Sequence, residues 1–306
     1  MTTVNRIAIL AVGLIGGSLA MAVKANGFAR EVIGWGRRES SLETAKKLGV
    51  IDSYSLDLSE AVSGADIIVI ATPTLIAEEV LQQLAGIVGP DTVITDAASV
   101  KGNLLSAAKN AFGKVPANLV LGHPIAGSEK SGVTAAKVDL YKNHRVILTP
   151  TEETCQQAKT LVTSMWKSTG AEVVSMPVAE HDEILAATSH LPHILAYTLV
   201  DALAGHSDTS SSENVHNIFR FAAGGFRDFT RIASSDPKMW HDISLANRDA
   251  LLRMIDIFSH GLADLREAIA GENSEAIFSS FERAKAARDE FSDILAKQNQ
   301  STITDE

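Results

Sequence analysis

The sequence predicts an α/β protein with an N-terminal Rossmann-type, doubly wound and mostly parallel sheet and a C-terminal all-helical domain. Through the first 175 residues, short apolar runs alternate with helical stretches, and a glycine-rich turn joins the first run to a helix. After Met176-Pro177 no further strand pattern is found. We therefore expect one domain over residues 1–175 and a second over residues 176–306.

Seven apolar runs in the first half are predicted to be strands. They lack strict alternation, which is typical of strands that are covered on both faces. Their regular exchange with helical segments predicts parallel pairing. The runs are residues 6–10, 32–35, 67–71, 93–96, 119–123, 145–149 and 172–175.

The second half reads as helices throughout. Residues 178–204 are helical in pattern, with an interruption at Pro192. Asp236 is a predicted N-cap, because Pro237 then takes the first helical position. The next helix carries an apolar stripe from Leu251 to Leu265. Such a stripe can pack within the chain or at the interface of a homodimer.

Composition and charge exclude several classes of partner. The net charge of -10 argues against a nucleic-acid partner, whose phosphates would be repelled. The single cysteine, Cys155, allows no intrachain disulfide and favours a reducing compartment. No signal peptide or membrane-spanning stretch is evident, so we expect a cytoplasmic protein with no membrane partner.

The turn after the first predicted strand matches the dinucleotide-binding pattern G-x-G-x-x-G, with alanine at the first position. Helix N-terminal amides at such a turn bind phosphates. The alanine is a departure that the turn tolerates if its φ is negative; the alternative is a turn that binds no ligand. The predicted cofactor contacts here are Ala11, Gly13, Leu14, Ile15 and Gly16.

The end of the second strand bears on the choice between NAD and NADP. An NAD site usually has an acidic residue there, to bind the ribose 2′-hydroxyl. Here Gly36 is followed by Arg37 and Arg38, which slightly favours the 2′-phosphate of NADP, although both arginines could be solvated loop charges. Thr72 and Pro73, after the third of these runs, are also predicted to contact the cofactor.

Polar segments follow three of the predicted strands; they are Thr72-Pro73, DAASVKG (96–102) and GHPIAGSEKSG (122–132). A fourth polar segment, TSHLPH (188–193), lies in the helical half. With GLIGGS (13–18) and GGFRDFTRIA (224–233), this set resembles the prephenate dehydrogenase family, which includes arogenate and cyclohexadienyl dehydrogenases. The resemblance extends from Arg6 to about residue 290.

The resemblance implies a reaction and roles for particular residues. Hydride would pass from C4 of a cyclohexadienol to NAD(P)+, the C4 hydroxyl would lose its proton, and carbon dioxide would leave as the ring becomes aromatic. His123 matches the family's catalytic base, and Ser99 matches a serine that orients the same hydroxyl. The alternatives are a histidine that caps a strand end and a serine that caps the helix near Lys101.

The substrate-binding residues that the resemblance implies lie in the helical half. Arg231 matches an arginine that binds a substrate carboxylate, for which a planar guanidinium is suited. Asp228 is expected to hold a helix or loop in place. His193 and Ser189 match positions that line the pocket, and Trp240 either reaches it, from this chain or a partner subunit, or is a core residue. The family also implies a homodimer through the helical domain.

Two other functions remain open from the sequence. One is a related dehydrogenase that acts on a β-hydroxy acid or an imino acid; the other is a non-catalytic nucleotide sensor that dimerises. Such dehydrogenases commonly rely on a lysine in the helical half, whereas this half has His and Arg at the matching motifs. The set of His123, Ser99 and Arg231 argues against the sensor, which would not need it. No metal site is expected, since H-x-x-H spacing is unspecific and the reaction needs none. The remaining histidines, among them His181, are expected to be solvated or structural.

Overall fold

The computed structural model describes residues 3–127, 130–206 and 219–301, without the side chains of 206 and 293–301. Ser128 and Glu129 of the GHPIAGSEKSG motif therefore lie outside the described residues. The chain divides into two compact units, Met1–Leu251 and Leu252–Glu306. No described helix is both long enough and apolar enough to cross a membrane.

The first unit contains an eight-stranded sheet in the order β3-β2-β1-β4-β5-β6-β7-β8. Only β6 and β7 pair antiparallel, so the prediction of a mostly parallel sheet is confirmed. The edge strand β3 was not predicted from the sequence, because it is three residues long and largely polar. The strands are β1 Val4–Leu10, β2 Ala29–Trp35, β3 Ser53–Ser55, β4 Ile67–Ile70, β5 Val93–Asp96, β6 Leu119–Pro124, β7 Arg145–Thr149 and β8 Glu172–Ser175.

Side chains of the central strands are buried on both faces of the sheet. On β1, Ile7 and Ile9 enter one apolar core, while Ala8 and Leu10 enter the core on the opposite face. This double burial explains why the strands lack alternation in the sequence. The strand order reverses direction between β1 and β4, which is where doubly wound sheets bind ligands beyond their carboxyl ends.

Apart from the sheet, the described chain is mainly helical. Asp236 is the predicted N-cap, since its carboxylate accepts a hydrogen bond from the Lys238 amide and Pro237 follows it. The interruption near Pro192 is a π-helical turn over Ala186–His190. The helices are α1 Leu14–Ala25, α2 Glu39–Lys47, α3 Leu58–Val62, α4 Thr74–Leu84, α5 Gly102–Phe112, α6 Gln156–Ser168, α7 Val178–Leu185, α8 Leu191–His206, α9 Gly224–Thr230, α10 Pro237–Ala246, α11 Arg248–Ala270 and α12 Ser274–Ser301.

Candidate active site

The glycine-rich turn leads directly from β1 into α1, with Gly13 as the N-cap. A Cβ atom built on Gly13 would meet nothing within 4 Å, so the space in front of this residue is open to a ligand. A Cβ atom on Gly16 would lie 2.4 Å from the Ala11 carbonyl oxygen and 2.8 Å from Ile9 Cγ2. Gly16 is therefore required for close packing of the helix against the strand, and the open space at Gly13 gives a ligand access to the helix N-terminus.

Ala11 occupies the first glycine position of the motif in a strained conformation. Its φ is +78°, in the left-handed region, whereas tolerance of alanine was expected to require a negative φ. The Cβ atom makes this region unfavourable for every residue except glycine, by about 1–2 kcal/mol. The backbone keeps the shape that glycine would adopt, because the Ala11 amide is bonded to the Trp35 carbonyl at 2.8 Å.

Thr72 and Pro73 lie just beyond β4, the strand beside β1. The Ala71 amide donates to the Leu10 carbonyl at 2.8 Å, which ties this segment to the start of the glycine-rich turn. Thr72 is buried, yet its hydroxyl has no hydrogen-bond partner within the described residues. Buried polar groups are rarely left unpaired, so this hydroxyl and the open Gly13 fit a dinucleotide.

Gly36, Arg37 and Arg38 connect β2 to α2. Both arginine side chains are exposed, and within the described parts of the chain neither forms an ion pair. Two free guanidiniums thus stand at the position where an NAD site usually has a carboxylate.

His123 lies at the carboxyl end of β6 and is only 8% exposed. Its Nδ1 is 2.9 Å from Nε2 of His181, and Nδ1 of His181 is 2.7 Å from Oδ1 of Asp182. The same carboxylate accepts the backbone amides of Lys101 at 3.0 Å and Gly102 at 2.8 Å. A chain of hydrogen bonds therefore links His123 through α7 to the start of α5.

A buried ion pair lies next to His123. Asp96, the last residue of β5, pairs with the fully buried ammonium of Lys101. That ammonium also donates to the Gly122 carbonyl at 2.7 Å, and Asp96 accepts the Gly122 amide at 3.0 Å. The ion pair thus binds both the carbonyl and the amide of Gly122, the residue before His123.

Burial controls the protonation of this cluster. Burial, with His181, Lys101 and His190 nearby, holds the pKa of His123 well below its usual range, so the ring is neutral at neutral pH. Burial raises the pKa of Asp182, but hydrogen bonds from His181 and the two amides outweigh it and leave the pKa lowered. A neutral imidazole can accept a proton, and the ionised carboxylate of Asp182 is linked to His123 through the ring of His181.

His193 and Trp240 form an aromatic wall near this cluster. Their rings stack with centroids 3.6 Å apart, and Trp240 is buried against Val100, the residue after Ser99. His193 Nδ1 donates to the Ser189 carbonyl at 2.8 Å, so Ser189 orients the ring through its backbone. Trp240 therefore packs within its own chain, in a core that adjoins the site.

His190 and Asn247 connect the wall to the His123 cluster. The Asn247 amide lies 3.1 Å from His190 Nδ1 and donates to the Asp182 carbonyl at 2.8 Å. The His190 ring meets Trp240 edge to face, with centroids 6.1 Å apart. These contacts run without a break from His123 to His193.

Ser99, Arg231 and Asp228 differ in how the structure places them. Ser99 is half-buried before α5, but Asp182 and not Ser99 binds the first amides of that helix, so the capping alternative is wrong. Arg231 is exposed. Burial lowers the pKa of His193, the hydrogen bond to the Ser189 carbonyl raises it, and the positive charge of Arg231 lowers it further. Asp228 is exposed and pairs with its neighbour Arg227 at 3.4 Å.

Sequence reasoning did not find His181 or Asp182, and it assigned His181 to the solvated or structural histidines. The structure places His181 in the interior, at 0% exposure and against His123. Helical periodicity places Ser189 and His193 on one face, because they lie four residues apart, but His181 lies twelve residues before His193 and does not share that face. The link to His123 spans 58 residues and has no sequence signature.

Comparisons with known proteins agree with this geometry. Residues 19–175 match the family model described as "Prephenate dehydrogenase, nucleotide-binding domain", and residues 177–283 match "Prephenate dehydrogenase, dimerization domain". A cyclohexadienyl dehydrogenase of Zymomonas mobilis is 35% identical over 94% of this chain and 96% of its own. A prephenate dehydrogenase of Bacillus subtilis is 39% identical over 93% of this chain and 76% of its own.

Solved structures show the same similarity. The crystal structure of Aquifex aeolicus prephenate dehydrogenase in complex with hydroxyphenyl propionate and NAD+ superimposes with a TM-score of 0.85 and 35% identity. The alignment covers 94% of this chain and 98% of that one. Synechocystis arogenate dehydrogenase has a TM-score of 0.78 at 28% identity, over 94% of this chain and 99% of its own.

Proposed function

Because this chain belongs to the prephenate dehydrogenase family, we propose that it oxidises and decarboxylates prephenate or arogenate, with NAD(P)+ as the hydride acceptor. The products would be 4-hydroxyphenylpyruvate or tyrosine, which places the enzyme in tyrosine biosynthesis. The observation that carries the proposal is His123, a neutral buried imidazole at a strand end beside a dinucleotide turn. One ring nitrogen is bonded to His181, and the other has no partner among the described residues.

His123 acts as the general base in this proposal. Its unbonded Nε2 accepts the proton of the C4 hydroxyl, and such a base typically contributes about 10²–10⁴-fold to the rate. A bound nicotinamide would accept the hydride that leaves C4 of the substrate. Ser99, near the same strand ends, orients the hydroxyl. The buried Asp96–Lys101 pair holds the backbone under His123 and keeps the base in place.

The helical half supplies the substrate-binding groups. Arg231 binds a carboxylate of the substrate through its exposed guanidinium. The stacked rings of His193 and Trp240 form an apolar wall for the six-membered ring, and Ser189 fixes His193. Asp228 lies three residues before Arg231 and is proposed to act on that arginine's loop and not on the substrate.

The cofactor is proposed to lie across the carboxyl ends of β1 and β4. Its pyrophosphate meets the N-terminus of α1, where the turn is open at Gly13. Arg37 and Arg38 slightly favour the 2′-phosphate of NADP, which their guanidiniums would bind, although the carboxylate of Glu39 adjoins them. The full set of cofactor contacts is Ala11, Gly13, Leu14, Ile15, Gly16, Gly36, Arg37, Arg38, Thr72 and Pro73.

A homodimer through the helical part is proposed as the working form. The supporting observation is a group of large apolar side chains on α11 and α12 that are 40–66% exposed in the single chain. Sedimentation equilibrium should give twice the chain mass; a monomer at micromolar concentration would refute the proposal. The group comprises Leu252, Ile257, Phe258, Leu262, Ile269, Phe278, Phe281 and Phe291.

Two sequence inferences stay predictions. The domain division at residues 175 and 176 is supported by the change from strands to helices after β8. The cytoplasmic location rests on the single cysteine, which favours a reducing compartment.

Steady-state kinetics with both substrates crossed with both cofactors tests the function. We expect reduction of the nicotinamide with prephenate or arogenate, and none with a panel of β-hydroxy acids and imino acids. His123→Asn should lower kcat by about 10²–10⁴-fold while cofactor affinity stays unchanged, because the residue is a base and not a cofactor ligand. Unchanged turnover in this variant would show that the base is wrongly assigned, and absence of turnover with both substrates would overturn the function.

A further inference from the structure

His181 is buried completely, and both of its ring nitrogens are engaged. Nε2 lies 2.9 Å from Nδ1 of His123, and Nδ1 lies 2.7 Å from Oδ1 of Asp182. No other described contact requires a histidine at this position. The two imidazole rings meet edge to face, with centroids 5.1 Å apart and planes at 66°.

The carboxylate sets the direction of each hydrogen bond in this chain. An ionised carboxylate only accepts, so Nδ1 of His181 must carry the hydrogen that faces Asp182. In the neutral ring the remaining nitrogen, Nε2, then has a lone pair. That lone pair can only accept, so the hydrogen between the two histidines belongs to Nδ1 of His123. The Nε2 atom of His123 is left without a hydrogen.

Asp182 is held in place by groups that fix its orientation. Its two oxygens accept the amides of Lys101 and Gly102 at the start of α5. A Cβ atom on residue 102 would lie 2.8 Å from Oδ2, so only glycine allows this close approach. Asn247 in turn holds the backbone carbonyl of Asp182 at 2.8 Å. The carboxylate cannot turn away from His181 without breaking these bonds.

We propose that His181 and Asp182 are positioning residues that hold His123 in its Nδ1–H tautomer, with the Nε2 lone pair free to take the substrate's proton. The inference rests on the proposed function for the identity of that proton. The tautomer of His123, and the hydrogen bonds that fix it, do not depend on which substrate the enzyme binds. A hydrogen-bonded partner commonly fixes the tautomer of a reactive histidine in this way.

The tautomer can be measured in the wild-type protein without any substrate. Long-range ¹H–¹⁵N spectra of protein labelled with ¹⁵N-histidine distinguish a protonated ring nitrogen from a bare one, and loss of the signal in His123→Gln assigns it. We expect His123 to carry hydrogen on Nδ1 and none on Nε2 at neutral pH. A hydrogen on Nε2 overturns the proposal, whatever the activity of the enzyme.

A pair of substitutions at His181 tests the consequence for catalysis. His181→Leu removes the acceptor and leaves a buried Nδ1–H unpaired, so the competing tautomer gains; we expect kcat to fall about 10- to 100-fold with KM changed less than about twofold. His181→Gln offers an amide oxygen to His123 and an amide hydrogen to Asp182, and it should recover most of the lost kcat.

The glutamine variant separates positioning from proton relay, since an amide cannot take up a proton. If His181→Gln is as slow as His181→Leu, or if His181→Leu keeps the wild-type kcat, the proposal is wrong. His241→Leu is the matched control, because His241 also bonds its neighbouring aspartate, Asp242, at 2.8 Å but is exposed. It should keep the wild-type kcat. Should the wild type turn over neither substrate, the proposed function fails while the tautomer measurement still decides this inference.

Discussion

Ala11→Gly should stabilise the protein, because it removes strain at the first position of the glycine-rich turn. The alanine is held at φ +78°. Relief of the left-handed Cβ clash is worth about 1–2 kcal/mol. Glycine also increases the entropy of the unfolded chain, which costs about 0.4–1 kcal/mol. The net expectation is a gain of about 0.5–1 kcal/mol in the free energy of unfolding.

Urea unfolding at equilibrium measures this change, and a thermal scan should show a rise in Tm of about 1–3 °C. Ala25→Gly, at the exposed end of α1, is the control; it replaces an alanine of ordinary helical φ and should lose up to about 1 kcal/mol. Cofactor affinity measured by fluorescence titration should stay equal or improve in Ala11→Gly. A loss of stability in Ala11→Gly equal to that in the control would refute the strain argument.

Three further outcomes are expected. Lys101→Met leaves the buried Asp96 carboxylate unpaired and should lower the free energy of unfolding by about 3–5 kcal/mol in urea titration; a loss below about 1 kcal/mol would contradict a buried pair. Burial lowers the pKa of His190 to about 4, so the unfolded chain binds more protons between pH 4 and 6.5. The free energy of unfolding should therefore decline as pH falls from 6.5 to 4, by up to about 3 kcal/mol, and the decline should be smaller in His190→Gln. If the free energy of unfolding falls equally with pH in the wild type and in His190→Gln, the assignment to His190 is wrong. Arg231→Leu should raise KM for substrate at least about tenfold with an unchanged KM for the cofactor, since a bidentate ion pair is lost; equal KM values would remove this residue from the site.

Local patterns in the sequence were enough to predict the class of the fold. Buried parallel strands carry apolar side chains on both faces, as β1 does, so they appear as uninterrupted apolar runs. The N-cap Asp236 and the glycine-rich turn are also local, because each depends on residues within a few positions. The polar segments at strand ends could be placed near one another, since the carboxyl ends of parallel strands share one edge.

Three features of the site depended on contacts that are remote in sequence. The φ of Ala11 is imposed by the fixed geometry of β1, β2 and α1, which no single-residue preference reveals. The helix that follows Ser99 is capped by Asp182, which comes from 81 residues away. His181 became a partner of His123 only when α7 packed against β6.

The sequence by itself determined which chemical groups are present and on which kind of element each one lies, because hydrophobic period and turn chemistry act over a few residues. Only the tertiary structure decided which of those groups touch. Hydrogen bonds among buried side chains are set by where packed elements bring their ends together, and the resulting low-dielectric surroundings then decide which nitrogen holds the proton.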